Sequence, residues 1–178
     1  MPRLIRLSAV MAILIICQDV LAQLGAPWPK RILNKRDIER TKADAKDIDI
    51  RGLPLDQYPL LAKFKSVEII GLLNKDNNAA TDQHLEALSR LGFTNFGGIT
   101  LINCRRITDR GIRFLTNFPS FKGGSFEGTS ITDAACEVFA QMHVTGLNVA
   151  NCRHITKKGL LRLPKLRISN ISNFLRRI

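Results

Sequence analysis

The triplet Ile-Thr-Asp occurs at Ile107-Thr108-Asp109 and Ile131-Thr132-Asp133, and returns as Ile155-Thr156-Lys157, each copy 24 residues after the one before. A looser copy, Ala80-Thr81-Asp82, precedes the first by 27 residues. A fixed period in this range belongs to chains of stacked units, each a supersecondary element that buries its apolar face only against its neighbours. Such a chain displays an extended surface rather than a closed catalytic pocket. Function is therefore sought in residues shown side by side by successive units.

The surroundings of the triplet repeat as well. Ile99-Thr100-Leu101-Ile102-Asn103-Cys104-Arg105-Arg106-Ile107-Thr108-Asp109-Arg110-Gly111-Ile112 aligns with Leu147-Asn148-Val149-Ala150-Asn151-Cys152-Arg153-His154-Ile155-Thr156-Lys157-Lys158-Gly159-Leu160. Apolar alternation at the start predicts a strand with one buried face, and a helical stretch such as 111–115 follows the triplet. This layout resembles the cysteine-containing leucine-rich repeat, L-x-L-x-x-C-x-x-I-T-D-x-G-L, over roughly residues 47 to 170. The middle copy, Phe126 to Asp133, has Thr129 in place of Cys and one residue fewer, and is similar to the variant common in bacterial repeat proteins. The resemblance implies an α/β solenoid: a curved parallel sheet of about six strands, with helices on the convex side.

Earlier and later units fit the same frame. Ile48-Asp49-Ile50, Val67-Glu68-Ile69 and Leu166-Arg167-Ile168 read as strands. Leu55, Leu60, Leu61 and Phe64 suggest the helix of a first unit, its start blurred by Pro54 and Pro59. Leu85, Leu88 and Leu91 fall at helical spacing, with Glu86 and Arg90 paired at i,i+4. Lys75-Asp76-Asn77-Asn78 reads as a polar insertion in a turn. Each Ile of the triplet is expected in the core, with Thr or Asp capping the helix behind it. Cys104 and Cys152 are expected to fill the inner corner, and Asn103 and Asn151 to satisfy backbone groups at the bend. Three departures stand out: Gly123-Gly124-Ser125 reads as a weak strand, Ala134-Ala135 replaces x-Gly, and Lys157 replaces the acid that a helix start favours.

The N-terminus carries a second pattern. A basic start with Arg3 and Arg6, an apolar run from Leu7 to Cys17, and Val20-Leu21-Ala22 have the layout of a secretory signal peptide cleaved before Gln23. An apolar run of about 11 residues is short of the roughly 18 needed to span a bilayer. The segmentation is then 1–22 signal peptide, 23–46 linker and N-terminal cap, and 47–178 repeat domain. Trp28 sits in a Pro-rich lead-in, and the charged stretch 31–46 is expected to cover the first unit. The expected location is exported, secreted or periplasmic. The alternative is a mitochondrial presequence, because residues 1–18 contain no acid; the resemblance extends to mitochondrial assembly or coupling factors.

The chain carries a formal net charge of +12, and from Arg153 to Ile178 there are eight Lys or Arg residues and no acid. Arg153, Lys157, Lys158, Arg162 and Lys165 form a candidate basic patch for an anionic polymer or membrane surface, set against a merely solvated face. Nucleic acid is disfavoured, since no nucleic-acid-binding motif is present. After removal of 1–22, Cys104, Cys136 and Cys152 remain. Two units apart, Cys104 and Cys152 should lie about 10 Å from one another, beyond the roughly 7 Å that a disulfide spans. They are expected as buried free thiols.

No phosphate loop, zinc-protease motif or nucleophile elbow occurs, and His84, His143 and His154 fall in unrelated places, so neither enzyme, metal nor cofactor is expected. Binding is expected on the outward strand positions of the concave face: Asp49, Glu68, Ile70, Thr100, Ile102, Ser125, Glu127, Asn148, Ala150 and Arg167. The expected partner is a protein.

Overall fold

The computed structural model describes residues 29–72, 80–163 and 167–168. The segment 1–22 expected to be a signal peptide, Trp28, the 75–78 insertion and Lys165 lie outside these residues, as does the Arg167 side chain.

Among the described residues, seven strands pair in sequence order into one parallel sheet: β1 Lys30–Arg31, β2 Asp47–Asp49, β3 Ile69–Gly71, β4 Gly98–Thr100, β5 Gly123–Ser125, β6 Gly146–Asn148 and β7 Arg167–Ile168. The sheet has one strand more than expected, because β1 comes from the stretch assigned to the linker. Between strands run α1 Lys35–Arg40, a 3-10 helix Leu55–Lys63, α2 Asp82–Ser89, α3 Asp109–Phe114 with a 3-10 turn Leu115–Asn117, α4 Asp133–Gln141 and α5 Lys157–Arg162. Successive helices pack on one another just as successive strands do. Pro54 precedes the 3-10 helix and Pro59 lies inside it. A proline ring removes an N–H donor and crowds the preceding turn, so this segment does not form a regular α-helix.

Each unit is the same local solution. Ile48, Ile70, Ile99 and Leu147 form one inward row across the register, and Ile50, Leu72, Leu101 and Phe126 the next. Ile107, Ile131 and Ile155 are buried behind them, at 0%, 0% and 4% exposure, with Ala80 in the corresponding place of the earlier unit. The bend between strand and triplet needs a left-handed residue, and Gly52, Asn103, Gly128 and Asn151 supply it with φ between 58° and 78°. Asn tolerates this region better than other side chains do, which is why it alternates there with Gly.

The Thr of each triplet caps its own helix, as at Thr132, whose Oγ1 accepts from Ala134 N at 3.1 Å. The Asp does something else. Thr108 N and Oγ1 donate to the two oxygens of Asp82, at 2.8 and 2.6 Å. Thr132 does the same to Asp109 at 2.8 and 2.7 Å, and Thr156 to Asp133 at 2.7 and 2.6 Å. The carboxylate is thus a clasp between units, made of charge-assisted bonds. Burial works against the charge of Asp133, yet the Thr156 bonds and the nearby Arg162 and Lys158 hold its carboxyl below the ordinary range. The x-Gly that follows makes room for the clasp. A Cβ on Gly159 would lie 2.1 Å from Asp133 Oδ1, and one on Gly111 2.3 Å from Asp82 Oδ1.

Gly123-Gly124 does not weaken the fifth strand. The main chain runs so close to both neighbours that a Cβ on Gly123 would meet Gly146 O at 1.8 Å, and one on Gly124 would meet Ile99 O at 2.0 Å.

Cys104, Cys136 and Cys152, the cysteines among the described residues, are free and buried. Cys104 Sγ donates to Leu72 O and Cys152 Sγ to Phe126 O, each at 3.0 Å and each to the preceding unit. Burial pushes the Cys104 thiol from 9.0 up to about 11 and Cys136 up to about 12. A thiol whose folded pKa is raised holds its proton in the native state while the unfolded chain releases it. Its stabilising contribution is complete below pH 9 and is lost as pH rises through the folded values. Melting temperature is therefore expected to fall from about pH 9 upwards, and Cys136→Ala should flatten part of that slope. In folded protein at neutral pH a thiol reagent should react slowly. Denatured chain lacking residues 1–22 should release three thiols without reduction. An intramolecular disulfide in that assay would contradict the arrangement of Cys104 and Cys152.

Candidate functional site

The sheet face turned away from the helices is built from the residues that alternate with the inward rows. Its middle row runs Asp49, Gly71, Thr100, Ser125, Asn148. The row beyond it contains Arg51, Ile102, Glu127 and Ala150. Of the expected binding residues, the structure brings Thr100, Ile102, Ser125, Glu127 and Asn148 together over β4 to β6. Ala150 adjoins them and is buried.

This cluster is polar and tied together. Asn148 Nδ2 donates to Ser125 Oγ at 3.1 Å and to Glu127 Oε2 at 3.4 Å, and Asn148 Oδ1 accepts from Ala150 N at 3.0 Å. Asn151 Nδ2 donates to Glu127 Oε1 at 3.1 Å. Asn148 is only 2% exposed and Ser125 5%, so they support the surface from beneath rather than form it. Thr100, Ile102 and Glu127 are partly exposed, and Asn151 is exposed. The displayed set is small, held in fixed geometry, and of mixed polarity.

Other expected members fall elsewhere. Ile70 is in the core at 0% exposure. Alternation is reset just before β3, where the amides of both Glu68 and Ile69 donate to Lys46 O, at 2.7 and 3.1 Å. Two residues facing one is the signature of a bulge, and it moves every later side chain to the opposite face. The same doubled contact recurs where Gly97 and Gly98 meet Glu68 O, and where Thr145 and Gly146 meet Lys122 O. Glu68 lies on the near side of that bulge, paired with Lys46 at 2.7 Å and away from the cluster. Asp49 is on the outward face, buried under its ion pair with Arg51, whose Nε donates to Asp49 Oδ2 at 2.6 Å.

The members of the candidate basic patch differ in their surroundings. Arg153, Lys157 and Lys158 are exposed. Arg162 is not free of acids, because Glu137 of the preceding helix forms an ion pair with it. Scanning along the chain missed this neighbour, since the acid lies one unit back rather than next in sequence. Among the described residues, no three His, Cys, Asp or Glu side chains cluster as metal ligands would. None of the helices among the described residues is long and apolar enough to cross a membrane. No protein-family model matches the chain, and no curated protein is significantly similar to it.

Proposed function

We propose that this chain is a leucine-rich repeat solenoid of the cysteine-containing type, acting as an exported, non-enzymatic interaction module for a protein partner. The observation that carries this reading is the register. Strands β4 to β6 set Thr100, Ile102, Glu127 and Asn151 side by side on one sheet face, over Asn148 and Ser125, which fix their positions. Rigid support beneath a displayed row lowers the entropy lost when a partner docks. The phased triplets, the left-handed bend residues and the buried cysteines bonded to the preceding unit support the repeat assignment.

The test uses a photo-crosslinking residue at Ile102 in the full chain, expressed in its source cells. A single crosslinked protein is expected. Thr100→Lys should abolish the crosslink while leaving the melt unchanged. A crosslink untouched by it would remove this face from consideration.

A second reading, an anionic polymer at the basic patch, is favoured by the exposure of Arg153, Lys157 and Lys158. It predicts heparin retention that collapses as salt rises, because exposed charges are screened over about 10 Å at 0.1 M. Changing these three residues to Glu, with Arg162 left to its partner Glu137, should remove most retention. Equal elution of variant and wild type would leave only a solvated face.

A further inference from the structure

The bends that lead from each strand into the following helix line one edge of the solenoid. Parallel bridges set Arg106 beside Thr81 and His154 beside Thr132, so this edge continues from unit to unit. In the two cysteine-containing units, Arg105, Arg106 and Arg110 take the places of Arg153, His154 and Lys158. Arg105, Arg106 and Arg110 are exposed and form one bank of cations; Arg153, Lys157 and Lys158 form a second. The unit between the banks is neutral at the equivalent places, with Thr129, Ser130 and Ala134. Ser130 holds that unit in line, its Oγ donating to Arg105 O at 2.6 Å and its N to Ile107 O at 3.0 Å. Two strand spacings of about 4.8 Å separate the outer units, so the banks stand about 10 Å apart.

The acids of this edge make no ion pair with either bank. Asp82, Asp109 and Asp133 each have both carboxylate oxygens occupied by the N–H and hydroxyl of a threonine one unit on. None of the six cations has an ion-pair partner among the described residues. Six positive charges against three engaged carboxylates leave an excess on both sides of the neutral unit.

We propose that this edge binds a linear polyanion, a chain carrying sulfate or phosphate groups at intervals, which spans both banks and crosses the neutral unit between them. The proposal rests on the anion-binding reading of Arg153, Lys157 and Lys158, and extends that site to a second bank distant in sequence. Four of the six cations are arginines, whose planar fork grips an oxyanion with two parallel hydrogen bonds. Two banks engaged by one chain act as linked sites, so binding strengthens once the ligand reaches both. Other anionic partners find less here. None of the exposed residues named on this edge is aromatic, as stacking of nucleic-acid bases requires. Adsorption to a membrane surface draws on apolar side chains set among the cations. Leu161, the exposed leucine nearest to them in sequence among the described residues, stands in the last turn of α5, beyond the row.

The experiment measures fluorescence polarisation of a labelled heparin octasaccharide, or a labelled polyphosphate of similar length, on titration with the full chain at low salt. Saturable binding is expected, and the tighter of the two probes names the group as sulfate or phosphate. Inorganic sulfate should displace the probe only at concentrations at least about a hundredfold above the probe's own Kd, the advantage of linked over single contacts. Arg105→Gln, Arg106→Gln and Arg110→Gln together should weaken binding at least about tenfold, the scale of three exposed ion contacts. The same change at Arg153, Lys157 and Lys158 should do likewise. Arg36→Gln, Arg40→Gln and Lys42→Gln remove as much charge from exposed positions ahead of β2 and should cost less than about twofold, since distant charges are screened. A loss confined to the Arg153, Lys157 and Lys158 variant would overturn the spanning proposal and leave the single-bank reading standing. No loss in either bank would overturn both. The proposal also falls if the Arg36 variant loses as much, if sulfate competes at the probe's own Kd, or if phosphatidylserine vesicles bind and neither chain does.

Discussion

Ile131→Asp should cost on the order of 4 to 5 kcal/mol or more, a large part of the roughly 5 to 15 kcal/mol that holds a domain folded. Ile131 is 0% exposed in the middle of the row that Ile107 and Ile155 continue on either side. A carboxylate there is buried without a partner, and the site cannot relax toward solvent because a unit is stacked on each side. Circular dichroism should show a melting temperature at least about 10 °C lower, or no cooperative transition. Ile131→Val, which keeps the branched shape, should cost only about 0.5 to 1.5 kcal/mol. A melt of Ile131→Asp that overlays wild type would mean this row is not the core.

The second large effect comes from a smaller change. Gly124→Ala adds a single carbon, but that carbon arrives 2.0 Å from the carbonyl oxygen of Ile99 and 3.1 Å from its Cγ2. The obstacle is backbone in an interior strand, so β4 and β5 must part and their shared hydrogen bonds stretch. Overpacking of this kind costs about 1 to 3 kcal/mol, and a fixed backbone atom places it at the upper end. Gly71→Ala, in β3 of the same sheet, is the control. Its nearest neighbours would lie at 3.8 Å, an ordinary contact, and its φ is not positive. There the loss of unfolded-state freedom should make Ala neutral or stabilising by about 0.4 to 1 kcal/mol. Denaturant melts of the two variants should therefore move in different directions. A shared sign would refute the close-approach account.

These two sites also show what could be read before any coordinates. Ile131 was legible because an apolar residue at fixed period has one place to go. The strands, the Thr caps and the helices carrying Leu85 and Ile112 followed from the same phase. Gly124 was legible only as a poor strand former, since nothing in its neighbourhood says how near another strand passes. Ile70 was misplaced for a related reason. The bulge at Glu68 and Ile69 depends on both amides meeting Lys46, 22 residues earlier, and period-two alternation cannot register a skipped beat set by another strand. In the candidate site, Thr100, Ile102 and Glu127 came from simple alternation and are displayed as expected. That Asn148 is buried, and that Asn151 joins the cluster beside Glu127, depends on cross-strand bonds. The pairing of Arg162 with Glu137 was hidden for the same reason: the partner lies roughly one unit away along the chain.

The clasps between Asp82, Asp109 and Asp133 and the threonines 23 to 26 residues later all point the same way along the chain. Each unit offers an acceptor forward and receives one from behind, so any unit carrying both Thr and Asp is interchangeable at that joint. A duplicated copy of residues 109–132 inserted in frame would meet a waiting partner at both of its ends, and a clean deletion of the same residues would leave Asp82 with Thr108 and Asp133 with Thr156. The helix Lys157–Arg162 differs, because Lys157 accepts nothing and would repel a donor placed opposite it. Lengthening by units held with this clasp is therefore open on the N-terminal side of this helix, and Lys157 ends the series of clasps by a change of charge.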